Sequence, residues 1–205
     1  MKKRLENNSV IKKYCKKSLL SSDSVITARI NQINGFDYKN YPSLTFTEIL
    51  EKGDVIVYRQ QFVKRQQLTF HKGKAGRLAE ALDYFSSIDF IHGDINRKNI
   101  VSTQAEYKVI DYEPDLYQLR RGRPCQLVTL PYVSELDRTH HTISTLTDKI
   151  GFSYFLLRST GRITSSMVYS LYNSRPRDHS LHMGISEDEL TEMSYSEILR
   201  SIVDS

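Results

Sequence analysis

The stretch FIHGDINRKNIV, residues 90–101, sets a cluster of polar and charged residues between two apolar ends. A second apolar run, at residues 107–110, leads into Asp111. Short apolar flanks of this kind are typical of buried strands. We therefore expect strand–loop–strand over the first stretch, an arrangement that brings Asp94, Asn99 and Asp111 to one edge.

These three side chains suit phosphoryl transfer. An enzyme that moves a phosphoryl group from ATP must hold magnesium on the phosphates and direct a hydroxyl at the γ-phosphoryl group. Magnesium prefers hard oxygen ligands, which Asn99 and Asp111 offer. Asp94 is placed to accept a hydrogen bond from the attacking hydroxyl. A polar turn between two strands, without chemistry, is the plain alternative.

The same residues resemble motifs of the protein kinase-like superfamily. HGDINRKN, residues 92–99, matches the catalytic-loop pattern H-x-D-x-x-x-x-N, and VIDYE, residues 109–113, stands where protein kinases carry D-F-G. The Gly in second position and the later I-D-x-E are also similar to aminoglycoside phosphotransferases and choline kinases. The resemblance covers residues 9–158.

The resemblance implies an α+β fold with two kinase-like lobes, a reduced N-terminal sheet lobe and a helical C-terminal lobe. It also implies that ATP and Mg2+ are bound. Asp94 would then be a catalytic residue, Asn99 and Asp111 metal ligands, and His92 a structural residue of the loop.

Candidates for nucleotide binding lie upstream. Lys12, in SVIKK, resembles the lysine that pairs with ATP phosphates in protein kinases and is a second catalytic candidate. In a strand, Val10 and Lys12 share a face, so Val10 would pack on the adenine while Lys13 points away. Gln61 and Val63 resemble hinge residues whose backbone groups meet adenine. A surface role for Lys12, one of several neighbouring lysines, is the alternative.

Two downstream motifs continue the resemblance. VTLPYVSE, residues 128–135, resembles the end of a protein kinase activation segment, which includes Thr129 and Glu135. TDKIGFSYFLL, residues 147–157, resembles the helix that follows, whose initial Asp supports the catalytic loop. Asp148 would take that role. An ordinary loop and an ordinary helix start are the alternatives.

Several kinase features are missing from the sequence. No glycine precedes Gly35, so a Gly-rich loop over the phosphates is absent. The helix expected at residues 22–34 contains no Glu to pair with the lysine, and Glu48, the next candidate, falls in an expected strand. Gly93 replaces the Arg of H-R-D, the residue that answers to a phosphate on the activation segment. We therefore expect activity without priming phosphorylation.

The function that these patterns favour is an ATP- and Mg-dependent phosphotransferase, a minimal, atypical serine/threonine protein kinase of bacterial or effector type. One alternative is a small-molecule or glycan kinase of the same superfamily, and another is a pseudokinase that binds a partner without transfer. The chain after Asp111 is too short for the helical insertions that enclose small acceptors. Three arginines on the loop 114–135 favour a protein substrate that is acidic or phosphorylated near the acceptor: Arg120, Arg121 and Arg123.

Length and composition fit one domain, residues 1–205, with an N-lobe at 1–63 and a C-lobe at 64–205. The net charge is +5, but the sequence lacks RNA-binding and zinc-finger signatures, which argues against nucleic acid as partner.

No apolar run reaches the roughly 20 residues of a membrane helix, and no Sec-type signal is visible. With only two cysteines there is no disulfide framework. We expect a cytoplasmic protein, or an effector exported without a Sec-type signal.

Periodicity and turn residues predict the elements. We expect a strand at residues 9–15 after a turn at Asn7–Asn8, a helix at 22–34, strands at 43–50 and 54–63 joined by EKGD, an amphipathic helix from 76 that ends before 89, a long loop at 112–143 and helices from 147 onward. The patterns Ser186-x-x-Glu189 and Ser194-x-x-Glu197 predict capping boxes at two of these helices.

Overall fold

The structure is a computed structural model that describes residues 2–6, 8–15, 23–112, 132–134, 137, 143–173 and 179–205. Over these ranges the chain is α+β, with a small antiparallel sheet first and mainly helices after it. The strands are β1 (Lys2–Glu6), β2 (Ser9–Cys15), β3 (Thr47–Lys52), β4 (Val55–Gln61), β5 (Ile100–Ser102) and β6 (Tyr107–Val109). The helices are α1 (Asp23–Asn34), α2 (Lys72–Ser87), α3 (Thr145–Ser159), α4 (Ser165–Asn173), α5 (Ser180–Met183), α6 (Glu187–Glu192) and α7 (Tyr195–Val203).

The first four strands form one antiparallel sheet in the order β1-β2-β4-β3. Both predicted turns in it are confirmed. Glu6 pairs with Ser9, and Asn8 between them has a φ of 57°. Lys52 pairs with Val55 across Gly53, which also has a φ of 57°.

One predicted strand begins later than expected. The run from residue 43 enters β3 only at Thr47. The residues before Thr47 contact the hairpin of β5 and β6 instead. The N–H of Val109 donates to the carbonyl of Ser43 at 2.8 Å, and Leu44 forms a parallel bridge with Val109. The N-terminal part of the chain is thereby joined to the hairpin that precedes Asp111.

The strand predicted at Phe90–Ile91 is wrong. These two residues follow α2 directly, and the N–H of Phe90 donates to the carbonyl of Phe85 at 2.8 Å, inside the reversal that ends the helix. Phe90 is buried all the same. Burial in the core, rather than strand pairing, explains the apolar start of the stretch.

An aromatic cluster lies directly beneath the polar loop. The Phe90 ring is 4.7 Å from that of Phe36 and 4.5 Å from that of Phe85. The ring of Tyr112 packs edge-on against Phe36 at 5.4 Å, while its hydroxyl donates to the carbonyl of Val109 at 2.9 Å. Since Phe90 precedes the loop and Tyr112 follows Asp111, the cluster fixes both ends of the site.

The predicted helices from residue 147 onward are confirmed, with α3 starting at Thr145. Both capping boxes, at Ser186–Glu189 and Ser194–Glu197, are also confirmed. Most of the loop predicted at 112–143 lies outside the described residues. Where the structure describes the chain, none of its helices is long and apolar enough to cross a membrane.

Candidate active site

The hairpin of β5 and β6 brings Asn99 next to Asp111. Its strands pair antiparallel, with Ile100 opposite Val109, so the start of one strand lies beside the end of the other. The N–H of Ile110 donates to the carbonyl of Asn99 at 2.9 Å and continues the pairing by one residue. Two short strands thus place residues twelve apart in sequence side by side.

Asp94 is held between two amide side chains. The Nδ2 of Asn99 donates to its Oδ2 at 2.7 Å, and the Nδ2 of Asn96 donates to its Oδ1 at 2.6 Å. Each amide also donates to the backbone carbonyl of Asp94 at 3.0 Å. The orientation of the Asp94 carboxylate is therefore fixed from both sides. In the sequence, Asn96 stands out only because it occupies the position where protein serine/threonine kinases place a lysine, and its contact with Asp94 is not predicted.

Asp111 forms an ion pair with Lys12. The Nζ of Lys12 lies 2.9 Å from Asp111 Oδ1, and Lys12 is only 4% exposed. The carboxylate keeps 32% exposure, so it can receive a further ligand. Asp111 has a φ of 62°, an uncommon conformation for a non-glycine residue and one that often marks functional sites.

Strand β2 aims Lys12 inward by simple alternation. Lys12 and Tyr14 are buried, whereas Lys13 and Cys15 are exposed. The Lys12 ammonium lies 5.3 Å from the centre of the Tyr58 ring, which adds a cation–π contact.

Gln60 of β4 links this strand face to Asp111. Its Oε1 accepts from the N–H of Asp111 at 3.3 Å, and its Nε2 donates to Thr47 Oγ1 at 3.0 Å and to the Tyr58 hydroxyl at 2.7 Å. Every polar atom of this buried amide is used, which fixes the backbone at Asp111. Sequence reasoning missed Gln60 because its partners are far away in the chain.

His92 connects the loop to the strand before Asp111. Its Nε2 donates to the carbonyl of Ile110 at 2.9 Å, and its Nδ1 accepts from the N–H of Asp94 at 3.3 Å. This pattern requires neutral imidazole with its hydrogen on Nε2. Burial lowers the pKa of His92 to about 4, in agreement with the neutral form.

Asp148, in the first turn of α3, holds the loop from below. Its two carboxylate oxygens accept from the N–H groups of His92 at 2.6 Å and Gly93 at 2.8 Å. Burial raises the pKa of Asp148 to about 7, while these two hydrogen bonds and the charge of Arg29 oppose the rise. Gly93 has a φ of +80°, a conformation that L side chains rarely adopt, so this backbone disfavours an Arg at the position.

Arg29 of α1 is a second support that the sequence did not reveal. Its guanidinium lies 3.3 Å above the centre of the Phe90 ring and donates to the carbonyl of Ile91. On the same helix, Gln32 donates to the carbonyl of Ile88 at 2.7 Å. Helix α1 therefore grips the segment that leads into the polar loop.

The other end of α1 grips the sheet. The Asn34 amide donates to the carbonyl of Ile49 at 2.9 Å and accepts from its N–H at 2.8 Å. Glu48, the acid considered for Lys12, pairs instead with Arg59 of β4 at 3.2 Å. The ion pair of Lys12 is formed with Asp111 and not with Glu48.

Helix α3 and the loop approach each other very closely at Gly151. A Cβ at this position would lie 2.0 Å from the carbonyl oxygen of Ile95, the residue after Asp94. Only a glycine permits that distance. The close approach allows α3 to support the loop along its length.

The residues expected to contact a nucleotide differ in their exposure and in their backbone hydrogen bonds. Val10 is half-buried on the same strand face as Lys12, and Val63 is half-buried beyond the end of β4. Gln61 is exposed, and its N–H donates to the carbonyl of Phe46 at 2.9 Å, so this donor is already used. Thr129, Glu135 and the arginines at 120, 121 and 123 lie outside the described residues.

Asn99 and Asp111 suit a magnesium ion bound together with phosphates. Because the Asn99 nitrogen faces Asp94, its amide oxygen points to the other side, and Asp111 has a second carboxylate oxygen beyond the one that meets Lys12. Magnesium usually takes one or two such protein ligands plus phosphate oxygens and water. No cluster of three or more His, Cys, Asp or Glu side chains in the described part of the chain could hold a metal alone.

No protein-family model matches the chain, and no curated protein matches it significantly.

Proposed function

We propose that this chain is an ATP- and magnesium-dependent phosphotransferase that acts on serine or threonine residues of proteins. The observation that carries the proposal is the convergence of two linked pairs, Lys12 with Asp111 at 2.9 Å and Asn99 with Asp94 at 2.7 Å. A buried cation, two oxygen ligands and a fixed carboxylate are what transfer from ATP to a hydroxyl requires.

The proposal includes a two-lobed, protein kinase-like fold. It is supported by an N-terminal sheet that carries Lys12, by α1 between β2 and β3, and by the helical region that follows β6. The chain between β4 and α2, residues 62–71, would connect the lobes. The phosphates would bind beside the Lys12–Asp111 pair, and the adenine would pack on Val10.

Three side chains would hold the phosphates and the magnesium ion bound to them. The Lys12 ammonium would donate charge-assisted hydrogen bonds to phosphate oxygens while Asp111 keeps it in place. The Asn99 amide oxygen and the free oxygen of Asp111 would hold magnesium, which when bound would neutralise charge on the phosphates. Because Lys12 is buried, its charge would act in a site of low dielectric constant and be screened little by salt.

Asp94 would orient the acceptor. Its carboxylate oxygens accept from the amides of Asn99 and Asn96, and a carboxylate has about four lone-pair sites, so it can also accept from the hydroxyl of serine or threonine. The carboxylate would direct this oxygen at the phosphorus and accept its proton during transfer. Asn96 and Asn99 would act as positioning residues by preventing rotation of the carboxylate.

Incubation of the purified protein with labelled ATP and Mg2+ tests the proposal. We expect label on the protein itself or on generic protein substrates, and none with Asp94→Ala, whose circular dichroism spectrum should match wild type. Label on aminoglycosides, choline or a sugar, with none on protein in a cell lysate, would indicate a small-molecule kinase. An absence of both transfer and ATP hydrolysis would refute the phosphotransferase assignment.

A further inference from the structure

Two cationic segments lie together at one edge of the polar loop. The Nη2 of Arg65 donates to the carbonyl of Lys98 at 2.6 Å, which ties residues 64–65 to residues 97–98. The N–H of Gln66 donates to the carbonyl of Ser102 at 2.9 Å and extends the contact along β5. All four cationic side chains there are exposed, and we call them the cationic edge: Lys64, Arg65, Arg97 and Lys98.

The cationic edge has no acidic partner among the described residues. Two cationic side chains elsewhere do have one: Lys72 pairs with Asp204 at 2.5 Å, and Arg77 pairs with Glu106 at 2.8 Å. Four neighbouring positive charges repel one another and raise the local concentration of anions. They therefore favour a partner that brings negative charge.

The cationic edge begins one side chain away from Asp94. The N–H of Lys98 donates to Asn96 Oδ1 at 2.7 Å, and the Asn96 Nδ2 donates to Asp94 Oδ1 at 2.6 Å. A hydroxyl that meets Asp94 would thus have its flanking groups within reach of the long side chains at 97 and 98. The charge of those flanking groups would decide how well the acceptor binds.

We propose that the cationic edge recognises an acidic protein segment, in which the acceptor serine or threonine is flanked by carboxylates or by a phosphate already present. Arginine pairs with both oxyanions through two parallel hydrogen bonds, and lysine acts as a point charge. Each exposed pair contributes little, so the preference arises from several pairs together. The identity of the acceptor hydroxyl rests on the proposed function, whereas the binding itself needs no transfer.

Peptide binding without nucleotide tests the inference directly. Four fluorescent peptides of equal length, each with one central threonine, carry Glu, Gln, Lys or phosphoserine on both sides, and their affinity is measured by fluorescence anisotropy. We expect the Glu peptide to bind about tenfold more tightly than the Gln peptide, as for the loss of two or three exposed ion pairs. The Lys peptide should bind most weakly, and the phosphoserine peptide tells whether phosphate replaces carboxylate. Equal affinity for the Glu and Gln peptides would overturn the inference.

Charge reversal locates the effect. The double variant Arg97→Glu/Lys98→Glu should prefer the Lys peptide over the Glu peptide. The control Lys13→Glu/Lys52→Glu changes net charge equally at exposed sheet positions and should keep the wild-type preference. An equal loss in both variants would mean that net charge alone attracts the peptide, which also overturns the inference. Arg65 is left unchanged because its side chain supports the loop.

Two further measurements separate this inference from the proposed function. If the Glu preference holds but labelled ATP yields no transfer, the phosphotransferase assignment fails and the recognition surface stands. If transfer occurs without a preference for acidic flanks, the inference fails alone. Binding to vesicles of anionic phosphatidylglycerol that is lost on charge reversal, with no peptide binding, would identify a membrane surface as the partner and refute a protein segment.

Discussion

Lys12 and Asp111 are 99 residues apart in the sequence, yet the ammonium of one lies 2.9 Å from the carboxylate of the other. The pair joins the N-terminal sheet to the hairpin that carries Asn99. The pair does not require a Glu on α1, and that helix contains none. Removing either member takes away an opposite charge that lies 2.9 Å from the other member.

Lys12→Ala should lower kcat/KM for ATP by orders of magnitude, because the phosphates lose their cation. Lys13→Ala is the matched control, since the neighbouring side chain is exposed on the opposite face and its loss should have little effect. Steady-state kinetics with varied ATP checks both. A larger effect of the Lys13 change would contradict the role given to this strand face.

Asp111→Asn should abolish transfer with little change in fold. Asparagine has the size of aspartate and tolerates the φ of 62°, but it lacks the charge that pairs with Lys12 and that would bind magnesium in the proposed function. Turnover during a Mg2+ titration measures the effect. Asp89→Asn is the control, because Asp89 has a similar φ of 54° at an exposed position and should retain activity. Near-wild-type turnover of the Asp111 variant would refute the metal-ligand assignment.

Gly151→Ala should destabilise the protein by ~1–3 kcal/mol or more, because the added methyl would meet the Ile95 carbonyl oxygen and force α3 away from the loop. Gly76→Ala, in the middle of α2 with nothing near its Cβ, should stabilise the protein by ~0.5–1 kcal/mol. Urea denaturation measures both changes in the free energy of unfolding. Equal effects would mean that the close approach at Gly151 carries no packing constraint.

Asp148→Asn should gain stability relative to wild type as the pH rises from 5 to 8. Burial raises the pKa of Asp148 from 3.8 to about 7, so between these values the folded chain keeps a proton that the unfolded chain has released. The contribution of Asp148 to the free energy of unfolding therefore falls with rising pH across this window. Asparagine does not titrate, so the variant lacks this decline.

His92 has the opposite effect on the same curve. Burial lowers its pKa from 6.5 to about 4, so the unfolded chain binds a proton that the folded chain does not, and stability rises with pH in that range. The two contributions therefore oppose each other in wild type. Both proteins contain His92, so the difference between their urea denaturation curves isolates Asp148. A difference that is the same at pH 5 and pH 8 would contradict the raised pKa.

Phosphatase treatment should leave activity unchanged. Gly93, at a φ of +80°, offers no side chain to bind a phosphate on a regulatory segment. Protein co-expressed with a phosphatase and protein expressed alone should give equal rates of peptide phosphorylation. Loss of activity on dephosphorylation would show that another residue takes over this control.

The sequence predicted those elements whose signals are local. Alternation in β2 predicted Lys12 inward and Lys13 outward, and the spacing of Ser186 and Glu189 predicted a capping box. It failed at Phe90, where an apolar residue after a helix enters the core without a strand partner. The spacing of apolar residues predicts which side chains are buried, but it does not predict which elements pack against them.

The supports of the site depend on distant contacts. Arg29, Gln60 and Asn96 have no pattern in the sequence that predicts their contacts. Their roles follow from their partners in the structure, which are the carbonyl of Ile91, the N–H of Asp111 and the carboxylate of Asp94, respectively. Family resemblance, rather than periodicity, suggested that Asp148 lies against the loop. Hydrogen bonds between residues far apart in the chain produce no periodic pattern in the sequence.

Helix α1 connects the sheet to the loop through Asn34 at one end and Arg29 with Gln32 at the other. Together with the Lys12–Asp111 pair and the hydrogen bond from Val109 to Ser43, this helix fixes the spacing between the sheet and the polar loop. If nucleotide binds there as proposed, we expect it to leave without the slow hinge opening that limits product release in many enzymes, through local fluctuations in the nanosecond to microsecond range. Chemistry would then limit turnover, and increased solvent viscosity would slow it little.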